Sequence, residues 1–280
     1  MIPLIDIQHV TYTYPAQATS EATLQAVLRD VNLQIQAGEY VAVLGHNGSG
    51  KSTLARLCNA LLIPDEGQVL VDGLDTHDVP ERRPIRDMVG MIFQNPDNQI
   101  IATIVEDDIA WSLSVRGYAR PLIAERVESA LAAVDISSLR QLPPQRLSGG
   151  QRQRVAIAGI LALRPRCIIA DEATSMLDPL SRRGIVTLLH QLNREQGLTI
   201  IQVTHLLEEA ALAQRIIVME QGKIVMDGTP AKIFANLDRL RALKLAIPEP
   251  IELAARLHQI GYLLSADALT IEAIAQELCQ

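Results

Sequence analysis

The sequence predicts an α/β fold built on a largely parallel sheet. Short apolar segments with strand character, such as Tyr40–Leu44 and Thr199–Val203, alternate along the chain with longer segments of helical pattern. The first of these strands is bounded by Gly38 and Gly45, which suits a buried strand. Because strands separated by helices pair through crossover connections, this alternation favours a parallel sheet.

The other elements follow from the same patterns. Strands are predicted at residues 4–13, 31–35, 69–71, 89–93, 167–170, 215–219 and 223–226. Helices are predicted at 51–62, within 104–140 with Pro121 in a first turn, from Ser148 to about Pro165, and at Pro179–Gln196 with Gly197 as the stop. After Phe234 no strand pattern recurs, Pro248 and Pro250 are expected to break the chain, and 251–260 and 270–278 are predicted to form short amphipathic helices. We therefore expect a main domain at 1–236 and a helical extension at 237–280.

The composition is that of a globular chain that can bury a sizeable core. The 280 residues are 48% hydrophobic and 20% charged, which suits one large domain or a domain with a small extension. No stretch approaches the ~18 apolar residues that span a bilayer, and the opening residues lack the pattern of a signal peptide. A role at a membrane would therefore require membrane-spanning partners on other chains.

The charge and the cysteines argue against two further classes, nucleic-acid-binding proteins and disulfide-stabilised or metal-binding proteins. A net charge of −7 argues against nucleic acid as a partner, because phosphate backbones repel an acidic chain. The three cysteines, Cys58, Cys167 and Cys279, are widely separated and have no metal-ligand spacing. We expect them to be reduced thiols of a cytosolic protein.

A glycine-rich loop after the strand Tyr40–Leu44 fits the pattern G-x-x-x-x-G-K-S and opens a helix. Such a loop turns successive backbone N–H groups toward phosphate oxygens, and the helix N-terminus adds partial positive charge. We expect Lys51 to reach the β- and γ-phosphates and Ser52 to ligate Mg²⁺. His46 has no role of its own here, since the cradle uses backbone groups. The predicted nucleotide-binding residues are Gly45, His46, Asn47, Gly48, Ser49, Gly50, Lys51, Ser52 and Thr53.

Two acids follow the apolar strand at 167–170. Asp171 and Glu172 are therefore expected at the carboxyl edge of the parallel sheet, where ligands bind in open α/β folds. We predict that Asp171 holds Mg²⁺ and that Glu172 is the general base for an attacking water. His205 follows a second buried strand and is predicted to contact the γ-phosphate.

The segment Leu147-Ser148-Gly149-Gly150-Gln151 is the most specific pattern in the chain. Ser148 and Gln151 fit a capping box at the start of the following helix. That explanation leaves out the two glycines, whose lack of side chains would allow a phosphate to approach the backbone. The chain would then carry two phosphate-binding helix starts for one nucleotide.

This signature, with the phosphate loop before it and the acid pair after it, resembles the nucleotide-binding domain of ABC ATPases over about residues 2–235. The resemblance implies a P-loop ABC ATPase domain with a mainly parallel core sheet, an antiparallel β subdomain and a helical subdomain at about 95–160. It also implies two domains that sandwich two ATP molecules head to tail, so that the signature contacts the partner's ATP. By the same resemblance, Tyr14 stacks on adenine, Gln94 contacts Mg²⁺ and the attacking water, 175–178 crosses the dimer interface, and His205 is the switch histidine.

A finer resemblance lies in residues 93–99 and 171–179, which are similar to energy-coupling factor transporter ATPases. It implies ATP and Mg²⁺ as ligands, a second similar ATPase, a transmembrane coupling protein and a small substrate-binding membrane protein, at the cytoplasmic face of the membrane. Uptake of a vitamin or of a transition-metal ion would follow. The ATPase of a conventional binding-protein-dependent importer and a non-transport ABC ATPase remain alternatives. The transported substrate, and the choice between homodimer and heterodimer, stay open.

Overall fold

The computed structural model describes residues 2–15, 25–260, 262, 265 and 271–279. The strands are β1 Ile5–Tyr12, β2 Leu28–Ile35, β3 Tyr40–Leu44, β4 Glu66–Val71, β5 Leu74–Asp75, β6 Val89–Ile92, β7 Cys167–Asp171, β8 Thr199–Val203, β9 Arg215–Glu220 and β10 Lys223–Gly228. The helices are α1 Lys51–Cys58, α2 Arg82–Met88, α3 Val105–Val115, α4 Arg120–Ala133, α5 Gly149–Leu161, α6 Pro179–Gln196, α7 Leu207–Ala210, α8 Pro230–Phe234, α9 Leu237–Ala242, α10 Glu249–Gln259 and α11 Ile271–Leu278. The predicted α/β fold is confirmed.

The central sheet has six strands in the order β10-β9-β3-β8-β7-β6. Five of them run parallel, and β10 pairs antiparallel with β9. The inner strands β3, β7 and β8 are buried along their whole length. Strands of a parallel sheet that is covered on both faces are expected to be largely apolar, as these are. Because the strands share one direction, the segments that follow β3, β6, β7 and β8 leave the sheet at the same edge.

The two faces of this sheet contact different layers. Val41 and Val43 of β3 point into a core shared with α1 and with a four-stranded antiparallel sheet of order β2-β1-β4-β5. Tyr40, Ala42 and Leu44 alternate to the other face and pack in the core formed with α3, α4, α5 and α6. The period-two alternation of β3 thus joins two hydrophobic cores.

One predicted helix end was wrong. The helix predicted at 51–62 ends at Cys58, because Ala60 has φ 54° and its neighbour Asn59 donates its side-chain amide to Val89 O. The helical region predicted within 104–140 consists of α3 and α4, followed by a short 3₁₀ turn at Ser137–Leu139. Pro121 in the first turn of α4, and Gly197 with φ 65° at the end of α6, are confirmed.

The segment after Phe234 is helical, as predicted, but its prolines act differently. Pro250 does not break the chain: it lies in the first turn of α10, where its missing N–H costs nothing. Leu240 and Ile251 are buried in the larger core, whereas Ile274 of α11 packs in a small separate cluster. The predicted helix start at Thr270 lies outside the described residues. No helix in the described ranges is long and apolar enough to cross a membrane.

Candidate nucleotide site

A cleft of about 680 Å³ opens at the carboxyl edge of the parallel strands. Its walls come from the loop after β3, the loop after β6 and the acid pair at the end of β7. The topology therefore collects at one place segments that are far apart in sequence. The lining residues are Asn47, Gly48, Lys51, Ser52, Arg56, Phe93, Gln94, Asn95, Asn98, Asp171 and Glu172.

The phosphate loop curls tightly around the lysine that ends it. Gly45 has φ 156°, and a Cβ there would lie 2.5 Å from both Met219 O and Ser49 Oγ, so only glycine fits. The Lys51 side chain is 4% exposed, and its Nζ donates to Gly45 O at 2.8 Å and to His46 O at 3.1 Å. Burial lowers the pKa of the Lys51 ammonium, and the carboxylates of Glu172 and Asp171 oppose that shift. The loop thus holds a largely desolvated cation where phosphate is expected.

Asp171 and Ser52 form an oxygen pair on the floor of the cleft. Ser52 Oγ donates to Asp171 Oδ1 at 2.7 Å, although 119 residues separate them in sequence. Burial raises the pKa of the Asp171 carboxyl, while the bond from Ser52 and the charge of Arg56 lower it. A hydroxyl beside a carboxylate is the oxygen donor set that Mg²⁺ prefers, so the residues present fit that ion.

Glu172 lies between the lysine and the predicted switch histidine. Its Oε1 is 4.0 Å from Lys51 Nζ and 3.8 Å from His205 Nδ1. The residue has φ 50°, in the left-handed region, while its N–H donates to Val203 O at 3.0 Å. This backbone turn directs the carboxylate into the cleft. A φ of 50° is a strained conformation for a non-glycine residue, and such strain is concentrated at functional sites.

Gln94 reaches the acid pair through a serine. Gln94 Nε2 donates to Ser175 Oγ at 3.1 Å, and Ser175 Oγ donates to Glu172 O at 2.9 Å. The loop after β6 is held by Gln99, whose Oε1 accepts from Phe93 N at 2.8 Å and whose Nε2 donates to Met91 O at 3.1 Å. The segment 93–99, which carries part of the family resemblance, is thus also stabilised by hydrogen bonds between Gln99 at its end and two residues at or just before its start, Phe93 and Met91.

Tyr14 does not line the cleft. Its hydroxyl lies 3.2 Å from Thr53 Oγ1, and its ring meets Tyr12 edge-to-face at 5.1 Å. The side chain is 39% exposed, so a flat ring remains accessible beside the start of α1. Among the other loop residues, His46 Nδ1 contacts Asn47 O at 2.6 Å, and Ser49 is buried beneath Gly45.

The signature segment lies outside the cleft lining. The predicted capping box is present: Ser148 N donates to Gln151 Oε1 at 2.9 Å and Gln151 N donates to Ser148 Oγ at 3.3 Å. One glycine also has a packing role that the sequence interpretation missed. A Cβ on Gly150 would lie 2.7 Å from Ser181 Oγ on α6, whereas one on Gly149 would meet only Leu177, at 3.4 Å.

The signature helix is tied to the loop after β6. Arg152 donates to Leu147 O at 2.7 Å, and its Nε lies 3.0 Å from Asp97 Oδ1. The segment 175–178 leads into α6, where Asp178 Oδ1 caps the helix by accepting from Leu180 N and Ser181 N at 3.1 and 3.0 Å. Arg152 thus links the signature helix to the loop that supplies Asn95 and Asn98 to the cleft, while Asp178 fixes the start of α6.

Sequence reasoning missed part of the lining. Arg56 lies one helical turn beyond Ser52, so its i+4 spacing in α1 was the available signal. Asn95 and Asn98 belong to the segment quoted for its family resemblance, but no local pattern pointed to a position at the cleft. Taken together, the phosphate loop, the acid pair and the histidine at the edge of a parallel sheet define a P-loop nucleoside triphosphatase.

Comparisons with known proteins agree with that class. The family model described as ABC transporter matches residues 28–175. The energy-coupling factor transporter ATP-binding protein EcfA1 of Symbiobacterium thermophilum is 47% identical over 279 residues, which cover 99% of this chain and 97% of that protein. The EcfA1 of Clostridium novyi is 48% identical over 277 residues, with 99% and 98% coverage.

Solved structures give the same result. A cbiO1 structure from Clostridium perfringens, described as part of the ABC transporter complex cbiONQ, has a TM-score of 0.77 at 31% identity and covers 91% of this chain and 100% of its own. The dimeric cassette MJ0796 bound to ADP and Pi has a TM-score of 0.71 at 32% identity over 81% of this chain and 98% of its own. The chain therefore belongs to the ABC transporter family and, within it, to the energy-coupling factor transporter ATP-binding proteins.

Proposed function

We propose that the chain is the ATP-hydrolysing subunit of an energy-coupling factor importer and powers uptake of a vitamin or a transition-metal ion through partner membrane proteins. One observation carries this proposal: separate chain segments bring a cation, Lys51, and a histidine, His205, to within 4.0 Å of the Glu172 carboxylate at the edge of one cleft. The similarity to EcfA1 proteins supports the energy-coupling factor type.

In this proposal the phosphate loop and the tyrosine bind ATP. Backbone N–H groups of the loop donate hydrogen bonds to phosphate oxygens. Lys51 Nζ exchanges its contacts with Gly45 O and His46 O for contacts with the β- and γ-phosphates. The exposed ring of Tyr14 stacks on adenine beside Thr53. Ser52, Gln94 and Asp171 would hold Mg²⁺, which neutralises charge on the phosphate oxygens.

Hydrolysis in this site is a matter of positioning and charge, with no covalent intermediate. Glu172 is the general base that takes the proton of the attacking water. Gln94 orients that water, since its Nε2 is occupied by Ser175 and its amide oxygen is left to accept a hydrogen bond. His205 contacts the γ-phosphate and stabilises the charge that develops there.

A second ATPase completes the site. The signature residues lie outside this chain's own cleft, which fits a head-to-tail dimer in which they bind the partner's ATP. The MJ0796 cassette, which has the same fold, is described as a dimer bound to ADP and Pi, and this supports a dimer of ATPase subunits. The residues assigned to the partner's ATP are Ser148, Gly149, Gly150 and Gln151.

The remaining partners are membrane proteins, which would hold this chain at the cytoplasmic face of the membrane. We assign the exposed Trp111 and Val115 of α3, together with the loop after β6, to the contact with a transmembrane coupling protein. A small substrate-binding membrane protein would supply specificity. Within the chain we take 1–236 as the nucleotide-binding domain and 237–280 as an extension that supports dimerisation.

The test is purification of the tagged full-length chain from membranes in mild detergent, with mass spectrometry of what accompanies it. A second ATPase, a coupling membrane protein and a small substrate-binding membrane protein are expected. A conventional permease that works with an extracytoplasmic binding protein would contradict the energy-coupling factor type. Absence of every membrane protein would contradict the transport role.

A further inference from the structure

A buried chain of hydrogen-bonded side chains runs beneath the catalytic loops, on the sheet side of the cleft. Tyr40 Oη donates to Gln202 Oε1 at 2.6 Å, and Gln202 Nε2 donates to Glu209 Oε2 at 2.7 Å. The second carboxylate oxygen, Glu209 Oε1, accepts from Thr174 Oγ1 at 2.6 Å. All four side chains are at most 5% exposed.

Each member belongs to a segment that leads into the cleft. Tyr40 begins β3, which ends at the phosphate loop, and Gln202 lies on β8, three residues before His205. Thr174 follows Glu172 by two residues, and Glu209 lies in α7, four residues after His205. The carboxylate of Glu209 is thus the one group in this network that bonds both to the loop of the base and to the strand of the histidine.

The network requires a carboxylate at position 209. Thr174 and the Gln202 amide both present donors, and only a carboxylate accepts at both of its oxygens. A glutamine of the same size could turn its N–H₂ group toward Thr174, whose hydroxyl would accept it but would then leave its own hydrogen unpaired, or toward the Gln202 amide. Reversing the Gln202 amide to accept that group would then face Tyr40 with N–H₂ and leave the Tyr40 hydroxyl hydrogen unpaired, at the cost of a buried unsatisfied polar group.

We propose that Glu209 is a positioning residue for ATP hydrolysis, which fixes the loop carrying Glu172 relative to the segment carrying His205. This inference rests on the proposed function. The distance it sets is that between Glu172 Oε1 and His205 Nδ1, which is 3.8 Å. Glu209 contacts neither the phosphate loop nor the signature, so the binding of ATP does not depend on it.

The variants Glu209→Gln and Thr174→Val break the network from its two sides, and Thr174→Ser restores the hydroxyl. In the full-length chain purified with its partners, we expect each of the first two variants to lower kcat for ATP hydrolysis by about 10- to 100-fold, because small misplacement of catalytic groups has effects of that size. KM for ATP is expected to stay within about twofold. Thr174→Ser should recover most of the rate, and the double variant should be no slower than the slower single variant.

Asn193→Leu is the matched control for a loss of buried hydrogen bonds. Asn193 is 5% exposed, and its Nδ2 donates to Gly38 O and Leu198 O, both at 2.8 Å. Gly38 and Leu198 precede β3 and β8, at the end of each strand that lies away from the cleft. This variant should lose thermal stability without losing kcat. Equal losses of kcat in Asn193→Leu and Glu209→Gln, or an unchanged kcat in Glu209→Gln, would overturn the positioning role alone. A wild-type complex that does not hydrolyse ATP would overturn the proposed function, and the inference with it.

Discussion

Glu172 Oε1 lies 3.8 Å from His205 Nδ1, at the ends of two adjacent parallel strands. The pair depends on the register of β7 and β8, in which Asp171 is opposite Val203. The strand register therefore brings the side chains of Glu172 and His205 to the same edge of the sheet, where the contacts of their loops adjust the distance between them. The loop bond from Glu172 N to Val203 O, at 3.0 Å, holds the two segments in that register.

His205→Ala is expected to lower kcat for ATP hydrolysis by about 100-fold or more, because it removes the group that we propose stabilises charge at the γ-phosphate. KM for ATP should change little, since the phosphate loop is untouched. Steady-state hydrolysis across ATP concentrations measures both quantities. His77→Ala is the control, because His77 is bonded to Asp75 on a remote turn. Equal kcat values in His205→Ala and His77→Ala would show that His205 takes no part in hydrolysis.

Asp171→Asn is expected to separate stability from activity. Burial raises the pKa of the Asp171 carboxyl, so its charged form at neutral pH is a cost to the fold that the neutral amide avoids. The stabilising contribution of a group with a raised folded-state pKa is present at low pH and is lost as pH rises through that pKa. We therefore expect the variant to have a higher Tm at pH 7, by about 2–4 °C if the gain is ~1 kcal/mol, and no advantage near pH 3.

Thermal unfolding of both proteins between pH 3 and pH 7 measures this difference, in the absence of nucleotide. Hydrolysis in the presence of Mg²⁺ should be lost in Asp171→Asn at every pH. A lower Tm at pH 7 would show that the contacts of the charged carboxylate, among them that from Ser52, outweigh its burial.

The composite site is tested at Ser148 by two substitutions that keep the helix cap. Asp and Asn both accept the cap hydrogen bond about as well as Ser, so α5 should keep its stability in either variant. Ser148→Asp places a negative charge where the partner's γ-phosphate is proposed to lie. We expect this variant to lose most ATP hydrolysis in a mixed dimer with an unaltered partner, while Ser148→Asn retains far more. Similar rates for the two variants would contradict head-to-tail pairing.

Gly150 is predicted to be required for packing. In an exposed helix Gly→Ala stabilises by up to about 1 kcal/mol, but here the new Cβ would lie 2.9 Å from Ser181 Cβ. We expect Gly150→Ala to destabilise the fold by about 1–3 kcal/mol in denaturant unfolding. Gly159→Ala in the same helix meets no atom within 4 Å and should be neutral or stabilising. Adding Ser181→Gly should recover part of the Gly150→Ala loss; no recovery would mean that the clash is not the cause.

The order of elements and the segments that form the candidate site could be predicted from sequence because their signals are local. The loop that ends at Lys51, the acids after β7 and the capping box of Ser148 each lie within one short segment. Features that depend on distant pairs could not be predicted. The link between Thr174 and Glu209 spans 35 residues, and the contact of Gly150 with Ser181 depends on how α5 crosses α6.

Helix ends show the same division. α6 ends at Gly197, which adopts a left-handed conformation, and a glycine after a helical pattern predicts such an end from sequence. α1 ends instead because Ala60 adopts φ 54° and Asn59 bonds to Val89 O on β6; alanine, the residue in the left-handed conformation, does not signal a stop. Pro250 was misread for a similar reason, since a proline is equally suited to end one segment or begin the next helix.

The most direct test of the account is the oligomeric state of the Glu172→Gln variant with ATP and Mg²⁺. Size-exclusion chromatography measures that state, and a steady-state assay measures ATP hydrolysis in the same samples. The amide keeps the shape of the side chain but does not accept the proton of the attacking water, so the site should bind ATP and stop there. We predict hydrolysis reduced by about 100-fold or more and a dimer that forms only when ATP is added. Undiminished hydrolysis, or a chain that stays monomeric with ATP bound, would contradict the central claim.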